Sequence, residues 1–234
     1  MTLVRATGLA IPGRLQPTDL RLAAGELVAV VGRNGAGKTS LLHALAGIGG
    51  ARGMTEVAGE RLDRAGPARR PYLLGFLPAS RELAWPLRVA DLVALGLSPA
   101  GAGGQVAGVL ARFDLDSLAR RRADRLSTGE RARALLARAF APAPPLLLLD
   151  EPMANLDPDW RLRLGELLQD EAARGAALVI TLHDLETAER LADRLLVVAD
   201  GRVVADGAPG EVLARVEVQA GFGLRRTAAG WVRA

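Results

Sequence analysis

Residues 32–40 read Gly-Arg-Asn-Gly-Ala-Gly-Lys-Thr-Ser and match the spacing of a phosphate-binding loop. Backbone N–H groups of such a turn, together with the dipole of the helix that follows, bind anions. Lys38 is the one lysine among 30 basic residues, and its compact ammonium can reach the terminal phosphates of a nucleotide. The Thr39 hydroxyl is suited to hold Mg²⁺. We expect a nucleotide to contact Gly32, Asn34, Gly35, Ala36, Gly37, Lys38, Thr39 and Ser40.

A glycine-rich turn that binds nothing is the simpler interpretation of this run. Residues 26–31 form an apolar stretch typical of a buried strand, and residues 41–46 are typical of a helix. A bare turn is compatible with these flanks, but a phosphate-binding loop requires them. The strand and helix on either side therefore favour the nucleotide site.

Two carboxylates follow the apolar run at residues 146–149. Ligands of parallel sheets bind at the carboxyl ends of the strands, so Asp150 and Glu151 are expected to face the phosphate loop. A core strand that ends in a solvated acidic turn would be favoured if the loop were absent. With the loop present, Asp150 is the expected Walker B partner of Mg²⁺, and Glu151 is placed to polarise a water against the γ-phosphate.

Residues 126–130 read Leu-Ser-Thr-Gly-Glu and precede a helical pattern. The Ser-x-x-Glu spacing of Ser127 and Glu130 is that of a capping box, which explains both residues without a ligand. A capped helix N-terminus that contains glycine can also bind an anion. Both interpretations stay open from this run alone.

Strand-like and helical patterns alternate along the two ends of the chain, which predicts a mostly parallel sheet wrapped by helices. Strands are expected at 27–31, 146–149, 177–182 and 195–198, and helices at the phosphate loop, at about 160–174 and before residue 195. Residues 79–141 have helical periodicity, interrupted at 98–104, and are expected to form a helical insertion into the α/β core.

The composition limits the class of protein. Half of the 234 residues are hydrophobic, and the chain contains no cysteine, so disulfides and thiolate metal sites are excluded. The net charge of +4 comes largely from arginines interleaved with acids, and the dense block at 120–122 is expected to be a solvated helix end, so nucleic acid is not an expected partner. No signal peptide or membrane span is evident, and we expect a cytoplasmic protein.

The motifs together resemble those of ATP-binding cassette (ABC) ATPases. Residues 126–130 resemble the signature sequence, with Thr128 in place of its first glycine, and residues 155–157 resemble the D-loop. His183, which follows a strand pattern, resembles the switch histidine that contacts the γ-phosphate, and residues 199–207 resemble the terminal hairpin. The resemblance covers almost the whole chain.

This resemblance implies a single nucleotide-binding domain over 1–234, of the α/β P-loop NTPase (RecA-like) class. It has a core at 1–78 and 142–234, an N-terminal antiparallel β portion, and a helical subdomain at 79–141. ATP and Mg²⁺ are the implied cofactors, and Lys38, Glu151 and His183 the implied catalytic residues. Each ATP would lie in a head-to-tail homodimer, contacting the second copy through Ser127, Thr128, Gly129, Glu130 and Asp157.

The same resemblance implies a location on the cytoplasmic face of the membrane, bound to integral membrane permease subunits and indirectly served by a substrate-binding protein. Residues 76–96 and 149–157 resemble ATPases of importers for iron-siderophores, haem or vitamin B12. An exporter ATPase, a non-transport ABC protein and a regulatory subunit that has lost turnover stay open as alternatives.

Two departures from the family pattern bear on activity. Ala79 stands where the family has the Q-loop glutamine, and a methyl group can neither sense Mg²⁺ nor hold the attacking water, so we expect hydrolysis at a reduced rate. Residues 9–14 contain no aromatic ring to stack on adenine. Arg14 could stack through its guanidinium plane and Ile11 could give apolar contact, so base selectivity is expected to be weak.

Overall fold

The computed structural model describes residues 1–82, 86–97, 102–227 and 230–234, without the side chains of 102–104. The strands are β1 (Thr2–Ile11), β2 (Leu15–Ala23), β3 (Leu27–Val31), β4 (Arg52–Val57), β5 (Glu60–Arg61), β6 (Leu74–Leu77), β7 (Leu146–Leu149), β8 (Ala177–Thr181), β9 (Arg194–Ala199), β10 (Arg202–Gly207), β11 (Leu224–Thr227) and β12 (Gly230–Arg233). The helices are α1 (Lys38–Ala46), α2 (Val89–Ala94), α3 (Ala102–Arg112), α4 (Thr128–Phe140), α5 (Pro158–Ala173), α6 (Leu185–Leu191), α7 (Pro209–Ala214) and α8 (Val216–Phe222).

A six-stranded sheet in the order β10-β9-β3-β8-β7-β6 positions the predicted site. All neighbouring strands are parallel except β10, which returns antiparallel to β9. Every residue of β3, β7 and β8 is buried, as expected for strands that are covered on both faces. The sheet confirms the predicted α/β class and brings the ends of β3, β7 and β8 to one edge.

An antiparallel sheet in the order β2-β1-β4-β5 covers one face of α1. Its apolar side chains, including Val4 and Leu20, pack with Leu41, Leu42 and Leu45 of α1, and these three leucines are fully buried. Burying such side chains stabilises the fold by about 1.5–3 kcal/mol each. The helix that follows the phosphate loop is therefore held between two sheets, which fixes the loop at its start.

Helices α2, α3 and α4 form the helical region, and no strand is found among the described residues of 79–141. The fully buried Phe113 stacks on Trp160 of α5, with ring centroids 6.4 Å apart. Arg112 of α3 also donates to the buried carboxylate of Glu171 on α5, at 2.5 Å. The helical region thus shares apolar packing and an ion pair with a helix of the core.

Three local expectations change. The interruption predicted at 98–104 falls partly on residues 98–101, outside the described residues, and α3 already begins at Ala102. Residues 120–122 do not end a helix, because they lie between two short 3₁₀ turns, where Arg122 pairs with Asp124 at 2.7 Å. Beyond the predicted hairpin β9–β10, the chain adds α7, α8 and the hairpin β11–β12, which the motifs did not predict.

Within the described ranges, no helix is both long and apolar enough to cross a membrane.

Candidate functional site

The phosphate loop joins β3 to α1 and passes close to the turn between β9 and β10. A Cβ atom on Gly32 would lie 2.3 Å from the carbonyl oxygen of Val198, so this position admits only glycine. Gly37 has a φ of 110°, and a Cβ there would come 3.1 Å from the carbonyl oxygen of Arg14. The glycines at both ends of the loop are therefore required by close backbone contacts.

A cleft of about 960 Å³ opens above the loop. It is lined by Asn34, Gly35, Ala36, Gly37, Lys38, Thr39, Ser40, Glu151 and His183, together with Gly13, Arg14, Leu15, Gln16, Asp200 and Gly201. Gly32, at the start of the loop, and Asp150, next to the lining residue Glu151, are both buried. The structure thus brings the loop together with two of the predicted catalytic side chains, and the volume suits a nucleotide.

Lys38 is almost fully buried, at 7% exposed. Its Nζ donates to the carbonyl oxygens of Gly32 at 2.9 Å and Arg33 at 3.2 Å, which ties the ammonium to the loop. Burial lowers the pKa of Lys38, while the nearby carboxylates of Glu151 and Asp150 act in the opposite direction. A partly desolvated ammonium gains strongly from an anion, so phosphate oxygens in the cleft would be attracted to it.

Asp150 ends the β7 strand and is 1% exposed. Its Oδ1 accepts from the hydroxyl of Thr181 at 2.5 Å, whereas Oδ2 is buried and has no hydrogen-bond partner among the described residues. A buried carboxylate oxygen without a partner is costly unless something binds it. Together with the Thr39 hydroxyl on the cleft surface, this oxygen fits a site for Mg²⁺ that is completed by phosphates and water.

The described residues contain no group of three or more histidine, cysteine, aspartate and glutamate side chains that could hold a metal ion by themselves. Mg²⁺ commonly uses only one or two protein carboxylates and takes its other ligands from substrate phosphates. The donor set of this cleft therefore fits a metal that arrives with a nucleotide.

Glu151 has a left-handed backbone, with a φ of 50°. Its Oε1 lies 2.5 Å from Nε2 of His183, and both side chains line the cleft. At this distance the carboxylate and the imidazole can form a hydrogen bond that fixes each other's orientation. The two residues for which the roles of base and γ-phosphate contact were predicted therefore lie side by side in the cleft.

Two residues that the motifs did not indicate also support this turn. The Thr181 hydroxyl, besides donating to Asp150, accepts from the backbone N–H of Glu151 at 2.8 Å. The Arg81 guanidinium donates to the carbonyl oxygens of Asp150 and Glu151. A polar side chain at the end of the apolar strand 177–181 was a usable signal for Thr181, whereas Arg81 follows a stretch without a local pattern.

The signature-like residues lie outside the cleft of this chain. Ser127 caps α4, where its Oγ accepts from the backbone N–H of Glu130, and its own N–H donates to Glu130 Oε2 at 2.8 Å, which confirms the predicted capping box. Asp157 caps α5 by accepting from the N–H of Trp160. Ser127, Thr128 and Asp157 are exposed. One copy of the chain therefore does not bring these residues to its own phosphate loop.

No aromatic side chain lines the described part of the cleft. Arg14 is exposed and lies next to the turn that contains Gly201. Among the described lining residues, Arg14 is therefore a candidate to stack on a nucleotide base through its guanidinium plane.

The family model described as ABC transporter matches residues 15–154. The hemin import ATP-binding protein HmuV of Nocardia farcinica is 40% identical over 227 residues, covering 90% of this chain and 79% of that protein. The cobalamin import ATP-binding protein BtuD of Halobacterium salinarum (strain ATCC 29341 / DSM 671 / R1) is 40% identical over 210 residues, covering 86% of this chain and 53% of that protein.

A solved structure of the ATP-binding subunit of an ABC transporter superposes with a TM-score of 0.79 at 28% identity, covering 95% of this chain and 94% of that one. A dimeric ATP-binding cassette in a post-hydrolysis state with ADP and Pi shares the fold, with a TM-score of 0.77 at 22% identity over 88% of this chain and 99% of that one. These matches agree with the predicted fold and with the order of the motifs. The chain therefore belongs to the ABC transporter family, as one of its ATPase cassettes.

Proposed function

We propose that this chain hydrolyses ATP to drive a membrane importer of haem, cobalamin or a related iron chelate. The observation that carries the proposal is the meeting of Lys38, Glu151 and His183 in one cleft, beside the unpaired oxygen of Asp150. The printed names of the relatives, which concern hemin and cobalamin import, support this class of cargo. The resemblance of residues 76–96 to the same group of importers is a second support.

In the proposed reaction, the loop N–H groups and Lys38 bind the β- and γ-phosphates. Glu151 accepts a proton from a water as the water oxygen attacks the γ-phosphorus, and the bond to the β–γ bridging oxygen breaks, releasing ADP and phosphate. His183, 2.5 Å from Glu151, orients that carboxylate and contacts the γ-phosphate. Mg²⁺, held by Thr39 and Asp150 together with the phosphates, would neutralise charge on them.

Ser127, Thr128 and Asp157 are exposed and Gly129 and Glu130 are partly exposed, which supports a two-copy arrangement. We place them against the nucleotide of a second copy in a head-to-tail homodimer, where the N-terminus of α4 can bind phosphate oxygens. The dimer would act on integral membrane permease subunits at the cytoplasmic face, which a substrate-binding protein serves. Nucleic acid has no part in this proposal.

The domain division stays part of the proposal. We assign 1–78 and 142–234 to the RecA-like core and 79–141 to a helical subdomain that transmits the nucleotide state. The stacking of Phe113 on Trp160 and the pair Arg112–Glu171 are the contacts through which the two parts would move together.

The proposal is tested with Glu151→Gln, which keeps the size of the side chain but removes the base. We expect turnover to fall by a factor of about 10³, with ATP still bound and the protein shifted from monomer to dimer in sedimentation velocity. The wild-type chain with ADP is the control. Turnover within a few-fold of wild type, or a monomer under saturating ATP with the permease subunits present, would reject the assignment of Glu151.

Identifying the transported cargo requires the complex assembled with the permease subunits. With permease subunits reconstituted in liposomes, ATP hydrolysis is measured with the substrate-binding protein loaded with hemin, a ferric siderophore or cobalamin. Stimulation by one of these cargoes supports an importer of that class. Outward transport by the same liposomes would support an exporter instead.

A further inference from the structure

Arg81, to which no role has been assigned above, reaches the catalytic turn from the segment that also contains Ala79. It lies four residues after the end of β6, in the stretch that leads from the sheet towards α2. Its Nη2 donates to the carbonyl oxygen of Asp150 at 2.9 Å and to that of Glu151 at 3.0 Å. One side chain from the start of the helical region therefore holds two successive carbonyl groups of the turn that follows β7.

The guanidinium of Arg81 is poorly solvated for a charged group. Its Nε and Nη1 are buried and have no hydrogen-bond partner among the described residues. Burial lowers the pKa of Arg81, and the carboxylates of Asp150 and Glu151 partly offset this effect. A buried cation needs compensation from nearby negative charge, and the charges that the structure places around Arg81 are those of the catalytic turn.

The turn itself has an unusual backbone that needs support. Glu151 has a φ of 50°, a region that residues other than glycine seldom occupy, at a cost of about 1–3 kcal/mol. Its N–H donates to the Thr181 hydroxyl, and its carbonyl oxygen accepts from the N–H of Ala154 and from Arg81. The direction of the Glu151 side chain, and hence its contact with His183, depends on these bonds.

The same segment lacks a polar side chain at the position where the family carries one. Ala79 and Ser80 are both exposed. Among residues 79–81, Arg81 has the side chain that reaches the turn. The methyl group of Ala79 can form no hydrogen bond with the site. The helical region thus contacts the turn that carries the catalytic carboxylate through Arg81, two residues after Ala79. The atoms that Arg81 contacts are backbone carbonyl oxygens.

We propose that Arg81 is a positioning residue for hydrolysis, which holds the Asp150–Glu151 turn in its catalytic conformation and links it to the helical region in place of the glutamine missing at position 79. This inference rests on the proposed role of Glu151. Arg81 touches neither nucleotide nor water in this assignment. It acts by fixing the backbone from which the Glu151 carboxylate is presented.

The test compares Arg81→Ala, Arg81→Lys and Ala79→Gln with the double variant Arg81→Ala/Ala79→Gln. Steady-state ATPase activity of the full-length chain is measured with saturating Mg²⁺. We expect Arg81→Ala to lower kcat by about 10- to 100-fold, because a misplaced base is inefficient, while the KM for ATP changes less than about threefold. Arg81→Lys, which keeps the charge and donors, should recover part of kcat. Ala79→Gln should raise kcat more in the Arg81→Ala background than in the wild type.

Arg70→Ala is the matched control, because Arg70 also donates to two backbone carbonyls, those of Leu62 and Ala46, but away from the cleft. It should lower the unfolding temperature while leaving kcat within about twofold. Thermal unfolding of every variant identifies loss of fold. If Arg81→Ala is folded, the inference is overturned by an unchanged kcat, by a loss that appears in KM alone, or by equal losses for Arg81→Ala and Arg70→Ala.

The two proposals fail separately. Glu151→Gln that stays active rejects Glu151 as the base. Glu151→Gln that is inactive, combined with an active Arg81→Ala, leaves the proposed function intact and rejects the role of Arg81.

Discussion

The turn after β7 and the N-terminus of α4 are two polar regions with opposite construction. The turn is largely buried, apart from the Glu151 side chain that lines the cleft, and its groups are held by distant parts of the chain, with Thr181 and Arg81 contributing from 30 and 69 positions away. The N-terminus of α4 is exposed and closed by a local pair, Ser127 and Glu130, three residues apart. The hydrogen bonds that hold the turn all come from within one copy. The N-terminus of α4 is capped by its own residues, and its outer face is accessible to another molecule.

This difference has a consequence for mutations. In the buried turn, each hydrogen bond removed leaves a partner without water, which costs about 1–3 kcal/mol and moves the catalytic group. At the exposed N-terminus, water replaces a lost contact, so the fold suffers little. Changes in the turn should reduce chemistry within each copy, and changes in the N-terminus of α4 should reduce only what two copies do together.

The largest effect is expected at Lys38. Lys38→Arg keeps the charge but places a wider planar group in a site that is 7% exposed, and Lys38→Ala removes both bonds to the loop carbonyls. Both variants should lose turnover by a factor of about 10³, measured as phosphate release at saturating ATP. Activity above half of the wild type in Lys38→Arg would show that the loop needs only positive charge.

The second-largest effect is expected at Thr181, whose hydroxyl is hydrogen-bonded to both Asp150 and Glu151. Thr181→Val preserves shape but leaves Asp150 Oδ1 and the N–H of Glu151 without this partner. We expect kcat to fall by about 10- to 100-fold and the free energy of unfolding by about 1–3 kcal/mol.

Thr55→Val is the matched control for this change. Thr55 is buried in β4, and its hydroxyl has no hydrogen-bond partner within the described chain, so its loss should be neutral or stabilising. The free energy of unfolding in urea and the ATPase rate are measured for both variants. Equal behaviour of Thr55→Val and Thr181→Val would contradict a special role for the Thr181 hydroxyl.

The third effect separates capping from binding at Ser127. Glycine is an acceptable N-cap, so Ser127→Gly should lower the free energy of unfolding by only a few tenths of a kcal/mol. If its hydroxyl serves a second copy, kcat should still fall about tenfold.

A mixture of two impaired variants then tests whether the site is shared. A dimer of Lys38→Ala and Ser127→Gly chains contains one site with an intact loop and an intact α4 N-terminus. Mixed chains should therefore be more active than either variant alone at the same total concentration. Activity no greater than the average of the two variants would place the complete site within one copy.

The same contrast explains what could be predicted from sequence. Contacts between neighbours in the chain, such as the capping box of Ser127 and Glu130, follow from spacing alone, and the apolar strands follow from composition because both faces are buried. Thr181 and Arg81 act over long sequence separations, and although the position of Thr181 at a strand end was a signal, Arg81 matches no local pattern. The path by which α3 reaches Glu171, and the helices after β10, likewise depend on tertiary packing.

The smallest effect concerns recognition of the purine base of the nucleotide. Arg14 is exposed where it lines the cleft, and no aromatic side chain lines the described part, so the KM values for ATP and GTP should agree within about threefold. Arg14→Tyr supplies a ring, and stacking of about 1–3 kcal/mol should lower the KM for either purine nucleotide by fivefold or more. A strong preference for ATP in the wild type would mean that the exposed end of the cleft, unlike the buried turn, gains its selectivity from contacts completed by a second copy.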